Sequence, residues 1–392
     1  MTFPLDSLNQ LLERLAHHPF YAARLPGRVA DAHEWAERVP LMGRAEFLAE
    51  MSQPGYGRFA CRDAVRMNLS PMSTGLVPIL HTRADLDAMV AAAGTQLEAC
   101  GIGPGDVCAV TFGYHLFVAG LFYQTQMEAH GVTCIPLGPG EAERTAAICR
   151  DHGVTVLAGN PGFALKLLDA GMPAPRVFFA GGEPFTGNRT LYERVQAAMP
   201  DTLLVDSFSL SEALPVARTF PGGQGVHVFD ELLHVEVVDP ESGRPMADGE
   251  RGELVVTHLR KQAQPLVRYR TGDLTVLERT APVHGRTQCL PRVVFGRTDD
   301  MLKAKGVKLY PSEVRSVLLG LDGVSGRYRL QVSKRPGGGD ALALMVEGQG
   351  GDALLETIRN RFKTQTLVSL DAIEAVAELD DGPAALDLRE RG

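Results

Sequence analysis

The chain has few cysteines, no excess of positive charge and no long apolar run, and each shortage removes a class of protein. Its six cysteines among 392 residues (Cys61, Cys100, Cys108, Cys134, Cys149, Cys289) include no C-x-x-C pair. A disulfide frame and a tetrahedral zinc site therefore lack spacing support, and the thiols read as those of a reducing compartment. The formal net charge is −8 with no long basic stretch, which argues against nucleic acid or an anionic membrane as main partner, since both reward a basic face. The opening MTFPLDSLNQLLERLAHHPFYAARL mixes charges into its apolar residues, so it reads as neither a signal peptide nor a spanning helix. The 42 glycines and 25 prolines are spread out, without low-complexity blocks or repeats. What remains is a globular, cytoplasmic chain, 45% hydrophobic and 22% charged, long enough for about two or three domains.

Residues 5 to 50 carry apolar positions at helical spacing. From about residue 64 the texture alternates. RADLDAMVAAAGTQLEACGI, LFVAGLFYQTQMEAHG, EAERTAAICRDHG and NPGFALKLLDAG read as helices; DVCAVTFGY, VTCIPLG, VTVLAG and RVFFAGG read as strands. Such alternation predicts an α/β fold with a mostly parallel sheet covered on both faces. Ligands in such sheets sit at the carboxyl ends of strands, where TFGYHLF, FAGGEPFTG and VDSFSLSEA fall. After residue 225 the pattern becomes antiparallel β, with turns in DPESGRP and ADGERGE. A smaller α+β unit of about 95 residues follows GRTDD, with helices at PSEVRSVLLGL and DALLETIRNRFKTQT and strands at RYRLQVSK and ALALMVEG. The expected division is 1–295 with a β-rich subdomain from about 225, then 296–392.

LSPMSTGLVPIL, residues 69 to 80, taken alone reads as an ordinary Ser/Thr/Gly loop or as one able to grip phosphate. Ser70, Ser73, Thr74 and Gly75 offer hydroxyls and close backbone approach, whereas Met72 and Leu76 put bulk and an alkyl group where glycine and lysine would serve an anion better.

Four separated segments, FAGGEPFTG, VDSFSLSEA, the stretch from DELLHVEVVDPESGRP through VRYRTGDLT, and VVFGRTDDMLKAKGVKLYPSEV, together resemble the motifs of phenylacetate–coenzyme A ligases in the adenylate-forming superfamily. The likeness covers most of residues 15 to 330. It implies the adenylate-forming fold, a large N-terminal region of mixed sheets and helices with a small mobile α+β C-terminal domain. It also implies ATP, Mg²⁺ and coenzyme A as cofactors, with a carboxylic acid as substrate, an acyl-adenylate intermediate and a possible homodimer.

Site residues follow from the same resemblance. Glu212 matches the carboxylate that helps hold Mg²⁺, beside Ser211 on the nucleotide. Asp273 matches the aspartate that accepts the ribose hydroxyls, Arg297 an arginine that also reaches the ribose, and Asp299 the hinge of the C-terminal domain. Gly181, Gly182, Glu183 and Pro184 match the adenine-side loop, with Phe208 where a tyrosine usually stacks on the base. Phe112, Tyr114 and Phe117 are suited to walling a flat aryl acid, and His115 stands where the family has glycine, a candidate general base. Lys305, with Lys303, lies on the loop expected to swing in for thioester formation. Cys289 falls where some relatives carry a cysteine-rich metal loop, yet neither it nor His284 makes a site alone.

The sequence departs from the family pattern at Met72 and Leu76 in the phosphate stretch, and at Pro383 where a C-terminal lysine would meet the reacting carboxylate. Each missing cation predicts a rate loss of about a hundred- to a thousandfold, so adenylation from ATP is expected to be impaired or specialised. An aryl-acid ligase passing its acyl group to coenzyme A or a carrier-protein thiol is the leading expectation. A non-catalytic relative that binds nucleotide or acyl-adenylate as regulator or scaffold is the alternative.

Overall fold

A computed structural model describes residues 3–72, 75–183, 185–298, 302–305, 307–309, 311–335, 339–366, 368–380 and 382–389. Ser73, Thr74, Pro184 and Asp299 lie outside the described residues. The chain divides into a main unit, running through Thr271 and again over Thr275–Val294, and a smaller unit of Gly272–Leu274 with the residues from Phe295 onward.

The main unit opens with helices α1 (Leu5–Leu15), α2 (Ala32–Arg38) and α3 (Arg44–Met51). The stretch expected to be a loop is instead most of a hairpin, β1 (Arg66–Met72) and β2 (Gly75–His81), in register from Arg66 opposite His81 to Met72 opposite Gly75. Met67, Leu69 and Val77 supply strand-forming side chains on either side of the turn, so β-pairing satisfies a backbone that composition alone assigned to a loop.

The parallel core is built from β3 (Val107–Val110), β4 (Thr133–Pro136), β5 (Val156–Gly159), β6 (Val177–Ala180) and β7 (Leu203–Leu210). Connecting them are α5 (Ala119–Ala129), α6 (Ala142–Asp151), α7 (Pro161–Asp169) and α8 (Arg189–Ala198), with α4 (Arg83–Ala99) preceding β3. Alternate residues enter opposite layers. Leu157 and Phe178 pack with α6 to α8, while Val156, Val177 and Phe179 pack with α4 and α5. The strands therefore read as continuous apolar runs because both faces are covered. Side-chain caps fix the helix starts: Thr82 and Asp85 form a reciprocal capping box on α4, and Asn160 and Asn188 cap α7 and α8.

Beyond β7 the pairing turns antiparallel through β8 (Ala213–Arg218) and β9 (Val226–Val228). Strands β10 (Leu233–Val238), β11 (Arg251–His258) and β12 (Tyr269–Val276) begin a second sheet, while β13 (Glu278–Val283) and β14 (Arg286–Leu290) extend the first into the nine-stranded order β13-β14-β9-β8-β7-β6-β5-β3-β4.

In the smaller unit, β15 (Gly296–Arg297) pairs with Asp273 and Leu274. A hairpin of β16 (Leu302–Ala304) and β17 (Val307–Leu309) precedes α9 (Pro311–Leu318). Then come β18 (Val324–Lys334), β19 (Asp340–Gly348), α10 (Asp352–Thr366), β20 (Ala372–Val376) and β21 (Ala385–Asp387), ordered β20-β19-β18-β21 in the sheet. Val314, Leu330, Val332, Leu344, Ile358 and Phe362 form its separate core. Among the described residues no helix is long and apolar enough to cross a membrane.

Candidate active site

The carboxyl end of the parallel sheet gathers most of the sequence-predicted residues of the main unit. Strands β7 and β8 pair down to Leu210 opposite Ala213, so Ser211 and Glu212 form the tight turn between them. Ser70 of β1 donates from Oγ to Ser211 Oγ at 2.9 Å, bringing the 66–81 hairpin to that turn. Glu212 is only 5% exposed, and a carboxylate so far from water needs donors. Tyr269 Oη, fully buried at the start of β12, donates to its Oε1 at 2.9 Å.

Below the same turn, mid-way along β7, Asp206 lies opposite Ala180, where the parallel pairing with β6 ends. Its Oδ2 accepts from the Thr186 amide at 2.9 Å and the Thr186 hydroxyl at 2.5 Å. Burial pushes this carboxyl up, and the Thr186 bonds oppose the shift. Gly181 and Gly182 follow β6, and Gly182 has φ +84°. A Cβ at Gly181 would stand 3.4 Å from Phe112 Cζ, so the absent side chain admits the Phe112 ring over this loop. Glu183 turns to the start of α7, where its Oε1 accepts from the Gly162 amide at 3.0 Å, a favourable place for negative charge. Phe208 is 9% exposed on β7 and belongs to the large core cluster.

The segment expected to wall an acid pocket divides. Phe112 stacks on Tyr123 with centroids 5.1 Å apart and planes at 19°. Tyr114 lies beside Gly138 with its Oη buried and without a partner among the described residues. His115, Leu116 and Phe117 are exposed, and the His115 ring lies 5.9 Å from that of Phe117. The helix expected from residue 116 begins at Ala119, because Leu116 adopts φ +61° and cannot continue a right-handed turn. β1 holds this loop: the Leu69 amide donates to the Leu116 carbonyl at 2.8 Å, and Asn68 Nδ2 donates to the carbonyls of Leu116 and Phe117 at 3.3 and 3.0 Å.

In the smaller unit Arg297 Nη1 donates to Asp273 Oδ1 at 2.8 Å, the two residues being direct partners across β12 and β15. Gly272, at φ +77°, has no Cβ where one would stand 2.7 Å from Arg297 Nη2. Lys305 Nζ donates to the Ser369 carbonyl at 2.7 Å and pairs with Asp371 at 2.7 Å. Arg389 is likewise engaged, by Asp387 and Asp340.

Sequence reasoning passed over Asn68, Asp206, Tyr269 and Lys261. Lys261 is 4% exposed and donates to the Leu80 carbonyl at 3.4 Å, whereas a lysine in a polar HLRKQAQ stretch reads as solvent-facing. Tyr269 was visible within VRYRTGD, but nothing local tells which carboxylate a buried tyrosine will meet. Among the described residues no group of three or more His, Cys, Asp and Glu side chains converges to hold a metal.

A family model described as AMP-binding enzyme matches residues 115–259. The chain is 31% identical over 331 residues to the phenylacetate–coenzyme A ligase of Escherichia coli (strain K12), covering 79% of this chain and 74% of that one. It is 33% identical over 377 residues to the phenylacetate–coenzyme A ligase of Thermus thermophilus, covering 88% and 82%. In fold it is similar to 2-hydroxyisobutyryl-CoA ligase, solved in an open conformation with 2-HIB-AMP and CoA, at a TM-score of 0.82 and 24% identity over 98% of this chain and 90% of that one. With two relatives above 30% identity across more than two thirds of their length, the chain belongs to the phenylacetate–coenzyme A ligase family of adenylate-forming, AMP-binding enzymes.

Proposed function

We propose that this chain joins an aryl-type carboxylic acid to a thiol, coenzyme A or that of a carrier protein, through an acyl-adenylate made from ATP. Family membership supports an adenylate-forming acid–thiol ligase using ATP and coenzyme A. In the first half-reaction a carboxylate oxygen attacks the α-phosphorus and pyrophosphate leaves. In the second, the thiol sulfur attacks the acyl carbon and AMP leaves. The observation that carries the reading is the contact of the Ser70 and Ser211 hydroxyls beside the buried Glu212. This places hydroxyls and one carboxylate at the carboxyl end of the sheet, where nucleotides bind in such folds.

Glu212 is the residue to hold Mg²⁺ together with the triphosphate oxygens. A lone carboxylate suits this ion, which is usually bound by one or two carboxylates plus substrate phosphates and water. Bound there, the ion neutralises phosphate charge during in-line displacement. Ser73, Thr74 and Gly75 offer further donors to phosphate. Gly181, Gly182, Glu183, Pro184 and Phe208 form the adenine side, and Asp273 with Arg297 takes the ribose hydroxyls. Phe112 and Tyr114 bound the acid, with Phe117 at the mouth and His115 as a general base on that loop. After a turn about Asp299, Lys305 serves the thioester step, for which it must exchange its bond to Asp371. With Leu76 in place of a cation and Arg389 already paired, adenylation is slowed. The enzyme is cytoplasmic and works as a homodimer.

The test is a paired assay: pyrophosphate exchange with ATP and a panel of aryl acids, then consumption of a synthetic acyl-adenylate with coenzyme A. Turnover in both supports the full reaction. Consumption without exchange confines the chain to thioester formation, and binding of AMP without either activity would replace the proposal with a nucleotide-binding regulator.

A further inference from the structure

Lys261 occupies a costly position that the reaction above does not use. It is 4% exposed, and burying an ammonium without a close counter-ion is unfavourable unless neighbours compensate. Desolvation lowers its pKa, and the attractions of Asp85 and then Glu212 oppose that shift. Asp85 is already committed, accepting from the amides of Thr82, Gln262 and Ala263 at 2.9, 2.6 and 3.1 Å. Glu212 has Tyr269 on one oxygen.

The segment that carries Lys261 also grips the phosphate hairpin. Gln264 Oε1 accepts from the Leu80 amide at 2.8 Å and its Nε2 donates to the Pro78 carbonyl at 2.9 Å. Lys261 Nζ donates to the Leu80 carbonyl at 3.4 Å. Residues 261 to 264 thus lie along β2 and bond it through side chains, while His258 Nδ1 folds the preceding turn by accepting from the amides of Lys261 and Arg260 at 3.0 and 3.3 Å. One short segment therefore fixes the arm carrying Leu76 and sets an almost fully buried lysine against it.

We infer that Lys261 is a positioning residue for acid activation: from beneath the hairpin it seats β2 through Leu80 and sets the field at Glu212, offsetting in part the cation absent at position 76. The inference rests on the reading that the hairpin and Glu212 receive Mg·ATP. It requires that Lys261 matter to the triphosphate complex more than to the monophosphate, because AMP brings no β- or γ-phosphate to Glu212.

Calorimetric titration of Mg·ATP and of AMP into the full chain tests it, using Lys261→Met, Lys261→Gln and Lys261→Arg, with melting temperatures as the folding check. Lys261→Met is expected to weaken Mg·ATP binding at least tenfold while AMP affinity stays within twofold. Its melting temperature should hold or rise, since an apolar replacement relieves desolvation. Lys261→Gln keeps a donor for Leu80 but no charge, so it should show most of the same loss, and Lys261→Arg should recover most of it. Mg·ATP affinity unchanged in Lys261→Gln, equal losses for ATP and AMP, or no recovery in Lys261→Arg would each overturn the inference. A wild-type chain that binds neither nucleotide would instead defeat the functional reading on which it stands.

Discussion

Tyr269 and Glu212 are joined by a hydrogen bond of 2.9 Å between two almost completely buried side chains. The bond links the turn after β7 to the start of β12, the strand that continues to Asp273. A carboxylate shielded from water needs hydrogen-bond donors, and the phenol of Tyr269 supplies one of them.

Glu212→Gln tests the carboxylate with little change of shape. The amide oxygen can still accept from Tyr269, so the melting temperature should move by no more than a few degrees. Pyrophosphate exchange should fall by about a hundredfold or more, the scale of losing a preorganised charge. Consumption of a synthetic acyl-adenylate with coenzyme A should be much less affected. Equal losses in both half-reactions would remove Glu212 from the proposed triphosphate role.

Gly272→Ala tests the proposed ribose contacts of Asp273 and Arg297. The position has φ +77°, and an added Cβ would meet Arg297 Nη2 at 2.7 Å. The substitution therefore strains the backbone by about 1 kcal/mol and displaces the guanidinium that pairs with Asp273. AMP affinity measured by calorimetry should drop about tenfold or more, whereas a control substitution at the exposed Gly285 should leave it unchanged. Wild-type affinity in Gly272→Ala would show that the Asp273–Arg297 geometry is not needed for nucleotide.

Much of this was legible before any coordinates, for reasons that differ between elements. VLAG and VFFA are short, wholly buried and bounded by turn residues, so their apolar runs announce a two-sided parallel sheet. The site motifs were legible because their identity and order are characteristic of a family. The 66–81 hairpin was missed because Ser, Pro and Gly suppress strand propensity, while the pairing that overrides them depends on register across the turn. β20 and β21 were missed as well, being short strands completed by parallel partners far away in sequence. The left-handed Leu116 was not predictable, since the conformation is imposed by β1 rather than by the leucine. Lys261 was hidden because burial of a charge depends on what folds over it.

Acid should destabilise the protein through buried histidines. Burial foremost, with help from nearby cations, lowers the His81 and His258 pKa values to about 2 and about 3. Neither ring nitrogen of His81 has a partner among the described residues. Their contribution is complete above the ordinary histidine value near 6.5 and is lost as pH falls below it, because the unfolded chain takes up protons that the folded chain refuses. Asp230 works the other way: burial raises it to about 6, so the folded state protonates first and regains stability as pH falls from there towards the ordinary carboxylate range. Urea unfolding between pH 7.5 and 4.5 should therefore show His81→Leu losing stability less steeply than the parent, by about 1.4 kcal/mol per pH unit below pH 6. Identical slopes would mean that the folded protein does protonate His81.

Asn68 offers the sharpest separation between acid and nucleotide binding. Its Nδ2 donates to two carbonyls of the loop carrying His115 and Phe117, and that loop contains a left-handed Leu116, a conformation that costs a non-glycine residue about 1 kcal/mol or more. Asn68→Leu keeps the side-chain volume near that of the original and removes both donors, so the loop should relax at a cost of about 1 to 3 kcal/mol in stability. If the loop forms the mouth of the acid pocket, KM for the acid should rise severalfold while KM for Mg·ATP stays within twofold, because Ser70 still meets Ser211 two residues further along β1. Adding Leu116→Gly to the same variant, which removes the left-handed penalty, should restore part of the lost stability without restoring KM for the acid. A parallel rise in both KM values would instead mean that Asn68 holds the phosphate hairpin, and the pocket would have to be sought deeper, between Phe112 and Tyr114.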